Sequence, residues 1–180
     1  LGPPPTSGTR DSMHELFMEA GAKQIPALKD LEKSDAKTFE KDWKSIREDG
    51  AYVEAGENDN VIVQKLEANK NAFGIFGYSF LEENAAKLQG VAMDGAVPTY
   101  ESIAGGKYKG SRALFVYIKK QHVGVIPGLD KFAAEYVSAK AIGEDGYLAS
   151  KGLVTLPKDE AAAVAKAAIA LTPLAADALK

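Results

Sequence analysis

The chain has 180 residues, 46% of them apolar, and a net charge of −3, enough apolar material for one sizeable core or two small ones. Acids and bases interleave along it, so no basic stripe offers itself to a nucleic-acid backbone, and a nucleic-acid partner is not expected. The absence of cysteine excludes disulfides, thiol chemistry and the common structural zinc sites, and His14 and His122 stand too far apart in sequence to suggest a transition metal. No cofactor is implied.

The first distinctive stretch is "PTSGTRD" at 5–11, a glycine-containing turn rich in hydroxyls that leads into "RDSMHELFMEAG". There Met13, Leu16, Phe17 and Ala20 recur at spacings of three and four, the stripe of an amphipathic helix, and Gly21 ends it. A second helix is expected over 35–49, with Phe39, Trp43 and Ile46 on one face, Ser34 or Asp35 as cap and Gly50 as terminator. "AYVEAG" at 51–56 reads as a short strand. "ENDNVIVQKLEANKN" at 57–71 reads as a helix opened by Asn58, Asp59 or Asn60 and closing near Asn69.

"AFGIFGYSF" at 72–80 is aromatic and strand-like, with Gly74 and Gly77 permitting close backbone approach. It is also too short and too glycine-broken to cross a bilayer. A helix over 81–88 and a strand over 90–94 follow, closed by an Asp94-Gly95 turn, and then a brief helix capped by Thr99. "SRALFVYIKK" at 111–120 is the strongest strand signal in the chain, β-branched and aromatic throughout, and suits a connector. Leu129, Phe132, Ala133, Tyr136 and Val137 mark a helix ending before the "GEDG" turn at 143–146. The Ala-rich stretch after Pro157, with Asp159 and Glu160 in its first turn, marks another. The alternation predicts an α/β architecture.

A helix N-terminus presents unpaired N–H groups and the positive end of the helix dipole, so a glycine-tight turn feeding a helix suits an anion. Ser7 and Thr9 add hydroxyl donors, Gly8 removes a Cβ that would hold an anion off, and Arg10 supplies a planar, permanently charged fork. Asp11 is placed to hold Arg10 rather than to touch the ligand. The same residues also suit an ordinary capped loop, since Ser and Thr are preferred caps. The turn is neither a P-loop nor a dinucleotide fingerprint. No catalytic constellation accompanies it: Ser79 lacks a nucleophile elbow, His14 has no defined partner and reads as a surface or flank residue, and Tyr78, Tyr100, Phe115 and Tyr117 read as packing.

Taken in order, "GPPPTSGTRD", "AGENDNVIVQKLEAN", "GIFGYSFLEEN", "GAVPTYESIAGGKYKGSRALFVYIKK", "VIPGLDKFAAEYVS" and "GEDGYLASKGLVTLP" resemble the periplasmic phosphate-binding proteins of high-affinity phosphate ABC transporters. The resemblance implies a type II periplasmic-binding-protein fold, two α/β lobes joined by crossover strands. This chain would be its carboxy-terminal portion, a mature piece or fragment. It places 1–110 in part of the second lobe with the anion-binding loop, and 111–180 in a crossover strand and return segment into the first lobe. It implies phosphate donors at Ser7, Gly8 and Thr9. The arginine that the family carries four residues before the serine is Pro3 here, so that role passes to Arg10, with Asp11 as its buttress. It further implies inorganic phosphate as ligand, an amino-terminal half carrying the proton-accepting aspartate, the membrane subunits of an ABC transporter as partners, a periplasmic or secreted location, and no enzymatic activity. Two other readings stay open: a phosphatase or phosphotransferase using the same cradle, which needs a metal or covalent nucleophile, and a phosphate-sensing extracellular scaffold.

Overall fold

The computed structural model describes residues 1–175, which fall into two compact units. The first comprises Leu1–Pro98 and Tyr108–Arg112; the second holds Thr99–Lys107 and the chain from Ala113 onward.

In the first unit, α1 (Gly8–Met13) runs through a π-helical stretch (His14–Glu19) into α2 (Ala20–Ala22). Ser7 caps it in an extended conformation, its hydroxyl oxygen accepting from the Thr9 N–H at 3.2 Å. A helix absent from the sequence reading follows, α3 (Pro26–Ser34), with Pro26 in its first turn where a missing N–H costs nothing. Then α4 (Ala36–Lys44) is capped by Asp35, which accepts from both the N–H and the hydroxyl of Thr38. It stops short of the expected residue 49, with the Ser45 hydroxyl bonded back to the Lys41 carbonyl. Asn58 caps α5 (Asp59–Ala68). Among the described residues Met13, Ala22, Phe39, Ala55, Ile62 and Val63 form the buried hydrophobic core of this unit, from four helices and one extended segment.

Of the expected strands, 51–56 and 90–94 are reduced to isolated bridges and 72–80 and 111–120 carry none, so among the described residues the structure does not display the α/β sheet predicted from sequence. Leu1 and Gly2 lie between two extended segments. The Gly2 N–H donates to the Val53 carbonyl at 3.1 Å and the Ala55 N–H to the Gly2 carbonyl at 3.0 Å. On the other side the amino terminus donates to the Phe73 carbonyl at 2.7 Å, and the Ile75 N–H to the Leu1 carbonyl at 2.9 Å. This three-segment pairing cannot grow past Gly2, because Pro3, Pro4 and Pro5 have no N–H to donate. The aromatic stretch at 72–80 divides: its first half stays extended, and Tyr78 opens α6 (Tyr78–Glu83), earlier than the helix expected at 81. The strand expected at 90–94 is one arm of a tight turn. Met93 and Ala96 exchange two hydrogen bonds across Asp94 and Gly95, which both have positive φ.

The second unit contains α7 (Tyr100–Ala104), α8 (Leu129–Tyr136), α9 (Ala139–Ile142) and α10 (Lys158–Ile169). Thr99 and Ser102 form a reciprocal capping box on α7, and the Tyr100 hydroxyl meets the Thr155 hydroxyl at 2.5 Å. Among its described residues the buried hydrophobic ones are two alanines, Ala133 and Ala141. The segment expected as the best strand carries no regular secondary structure and is unpaired. Leu114, Phe115, Val116 and Tyr117 are exposed, and among the described residues no backbone hydrogen bond involves 113–118. High β propensity does not make a strand without a neighbouring backbone to complete the ladder.

Candidate functional site

The opening turn is built as the residue types predict, but its donors do not all face the same way. The Ser7 N–H is spent on the Pro4 carbonyl, the Thr9 N–H on the Ser7 hydroxyl oxygen, and the Arg10 and Asp11 N–H groups on the Ser7 carbonyl. Among the described residues the Gly8 N–H has no acceptor, and Gly8 is exposed. The hydroxyl hydrogens of Ser7 and Thr9 are likewise free to rotate toward a ligand. Thr6, beside them, donates its hydroxyl to the Glu57 carboxylate and so is tied to the start of α5.

Arg10 turns inward. It is 7% exposed, the one buried charged residue among those described. Its Nη1 donates to the Pro3 carbonyl and to the Tyr52 hydroxyl, both at 3.1 Å, and its Nε donates to His14 Nε2 at 3.0 Å. Its guanidinium carbon lies 4.9 Å from the centre of the Tyr52 ring, and Tyr52 in turn donates its hydroxyl to the Pro3 carbonyl at 2.9 Å. The carboxylate beside Arg10 is Glu54, 3.6 Å from Nη1. Asp11, given that role from the sequence, is exposed, and its charge bears instead on His14 and Lys44. One turn along the helix from Arg10, His14 packs edge-on to Trp43 with ring centres 6.2 Å apart. Burial, then the positive charge of Arg10, holds His14 below its usual pKa; Asp11 opposes this and Lys44 adds to it.

Two further groups belong to this surface. Arg112 reaches the turn from the far end of the unit, donating from Nη2 to the Gly8 carbonyl at 3.2 Å and pairing with Glu15 at 3.3 Å. A cleft of about 370 Å³ opens beside Arg10, lined also by Pro5, Ile46, Arg47, Glu48, Tyr52 and Glu54. Ser7, Gly8 and Thr9 are not among its lining residues. The structure thus joins the hydroxyl turn and Arg10 in one element while giving them different surroundings. Among the described residues no group of acids and histidines is arranged to hold a metal, and no helix is long and apolar enough to cross a membrane.

Sequence reasoning missed Tyr52, Glu54, His14 as a partner, and Arg112. The first three carried a signal. His14 is four residues from Arg10 on a helix, and Tyr52 and Glu54 share one face of an extended segment. Arg112 carried none, being 104 residues from Gly8.

A turn of small donors opens the helix, with a buried arginine behind it. Residues 1–140 match the family model described as a PBP superfamily domain, and the chain belongs to that family. The chain is 37% identical over 106 residues to the phosphate-binding protein PstS of Staphylococcus haemolyticus, a match covering 54% of this chain and 33% of that protein. It is 30% identical over 113 residues to PstS of Staphylococcus saprophyticus, covering 60% and 34%. It is 32% identical over 73 residues to the protein SphX of Synechococcus elongatus, covering 37% and 22%. The chain thus spans about a third of the length of the PstS relatives it matches. The resemblance read from the sequence motifs is shown by these relatives. No solved structure matches the chain.

Proposed function

We propose that this chain binds inorganic phosphate and serves as the solute-capturing component of a phosphate-uptake ABC transporter, outside the cytoplasmic membrane and without catalysing a reaction. The observation that carries the reading is the Gly8 N–H, unspent at the start of the helix between two hydroxyl side chains, in a family whose relatives are named as phosphate-binding proteins. In this reading Ser7, Gly8 and Thr9 donate to the phosphate oxygens, and Arg10 supplies positive charge from behind. Asp11 acts from the neighbouring position, its charge bearing on His14 and Lys44.

Donors alone do not separate phosphate from sulfate. Selection needs an acceptor for the proton that phosphate retains at neutral pH. The reading assigns that acceptor to an amino-terminal half supplied by further polypeptide, so this chain alone binds both anions weakly and without preference. It also assigns residues 1–110 to part of one lobe, and 111–180 to a crossover and return segment that pairs with that further polypeptide. The exposed, unpaired backbone of 113–118 supports this. Calorimetric titration of the chain with phosphate and with sulfate tests the proposal. Weak, matched binding of both anions agrees with it. Absence of binding, including when the amino-terminal portion of a PstS relative is added, refutes it.

A further inference from the structure

The search for a further site leads back to the cleft beside Arg10. Three of the five guanidinium N–H groups are spent: Nε on His14, and both Nη1 hydrogens on the Pro3 carbonyl and the Tyr52 hydroxyl. Among the described residues Nη2 makes no hydrogen bond, yet no buried side-chain nitrogen or oxygen there lacks a partner. Nη2 therefore keeps some exposure to solvent in a side chain 8% exposed in all, and Arg10 lines a cleft with Pro5, Arg47, Tyr52 and Glu54.

Glu54 stands at that opening. Its carboxylate oxygen is 3.6 Å from Nη1, close enough to pair charges but too long for a hydrogen bond, and its side chain is half exposed. Its backbone, by contrast, is fixed, because the residues on either side of it hold Gly2 through two hydrogen bonds. The carboxylate can swing while its anchor stays. An incoming oxyanion seeks the Nη2 hydrogens, and two anions on one guanidinium repel each other.

We infer that Glu54 is a built-in competitor for Arg10: in the unliganded chain its carboxylate serves as counter-anion at the cleft, and a tetrahedral oxyanion binds there only by displacing it. Ligand affinity is then the intrinsic affinity reduced by the fraction of molecules in which Glu54 has swung away. The device resembles a gate set by charge alone. It explains why a buried arginine keeps one nitrogen open in a cleft that also carries acids. The inference rests on the reading of Arg10 as a ligand-binding arginine.

The test is titration of the 180-residue chain and its Glu54→Gln and Glu54→Ala variants with phosphate and with sulfate, after circular dichroism has confirmed that each variant is folded. Both substitutions are expected to tighten binding of both anions, by about tenfold, the scale of a typical coupling between a site and its regulator. Unchanged affinity overturns the inference. A loss confined to phosphate also overturns it, by making Glu54 an acceptor of the phosphate proton instead. If the parent chain binds anions and Arg10→Ala abolishes the binding while Glu54→Gln leaves it untouched, the competitor falls and the phosphate reading stands. If neither parent nor variants bind either anion, both fall together.

Discussion

His14 accepts the Nε–H of Arg10 at 3.0 Å across one helical turn, which fixes the proton of His14 on its other ring nitrogen and leaves the imidazole neutral. A protonated His14 has no lone pair for Arg10 and would set a second positive charge against it. Burial and the Arg10 charge accordingly hold its pKa down. The unfolded chain, with His14 near its ordinary 6.5, binds that proton more readily than the folded one. The stability contributed by neutral His14 is therefore complete above about pH 6.5 and is lost as pH falls from there through the lower folded value. Thermal melts at pH 7.5 and 5.5 are expected to show a larger acid loss for the parent than for His14→Asn. Equal losses would show that His14 does not titrate in this window.

Tyr52 links Arg10 to the opening segment by accepting from Nη1 and donating to the Pro3 carbonyl. Tyr52→Phe removes both bonds and keeps the ring, for an expected cost of about 1–2 kcal/mol in urea unfolding. Gly2→Ala attacks the same contact from the other side, since a Cβ there would stand 2.3 Å from the Tyr52 hydroxyl oxygen. It is expected to destabilise at least as much. A neutral Gly2→Ala would mean the Tyr52 ring is free to move aside.

Arg10 and Ser7 separate binding from stability. Arg10→Ala is expected to weaken phosphate and sulfate alike by about 1.5–3 kcal/mol, and to lower stability as well because it removes the Nη1 hydrogen bonds to the Pro3 carbonyl and the Tyr52 hydroxyl. Ser7→Ala removes the cap, at an expected cost of about 1 kcal/mol in stability and a smaller loss in anion affinity. Calorimetry and denaturation on the same preparations distinguish the two effects. A greater loss of affinity from Ser7→Ala than from Arg10→Ala would transfer the charge-binding role away from Arg10.

At Val116, half exposed and without a backbone hydrogen bond, proline removes a donor that the lone chain does not use. Val116→Pro is therefore expected to change the stability of this chain by less than about 0.5 kcal/mol. In the presence of the amino-terminal portion of a PstS relative, it should impair the recovery of phosphate preference. Full recovery with Val116→Pro would argue that 111–120 does not pair as a strand.

How much of this was readable in advance follows from the range of each interaction. The caps by Ser7, Asp35, Asn58 and Thr99 are local: each side chain meets an N–H two or three residues on, and residue type announces it. The Arg10–His14 contact is also local, the two residues standing four apart on one helix, although His14 alone reads as a flank residue. The strands failed for the opposite reason. "SRALFVYIKK" has the composition of a strand, but pairing depends on a second backbone that composition cannot supply, and the pairing of Gly2 with 53–55 stops at three prolines whose effect depends on what lies beside them. Arg112 over Gly8 and Glu54 beside Arg10 are contacts between distant segments and emerge only with the fold. Asp11 drew the buttress role by adjacency, yet successive residues on a helix point about 100° apart, which carries its carboxylate away from the guanidinium.

The most direct test of the central claim is a phosphate titration of the isotopically labelled chain followed by amide NMR. Among the described residues the Gly8 N–H has no hydrogen-bond acceptor. The account predicts a saturable downfield shift of the Gly8 amide, with smaller shifts at Ser7 and Thr9, reproduced by sulfate and lost in Arg10→Ala. A Gly8 resonance that stays in place while phosphate perturbs amides elsewhere, or perturbs none, would contradict it.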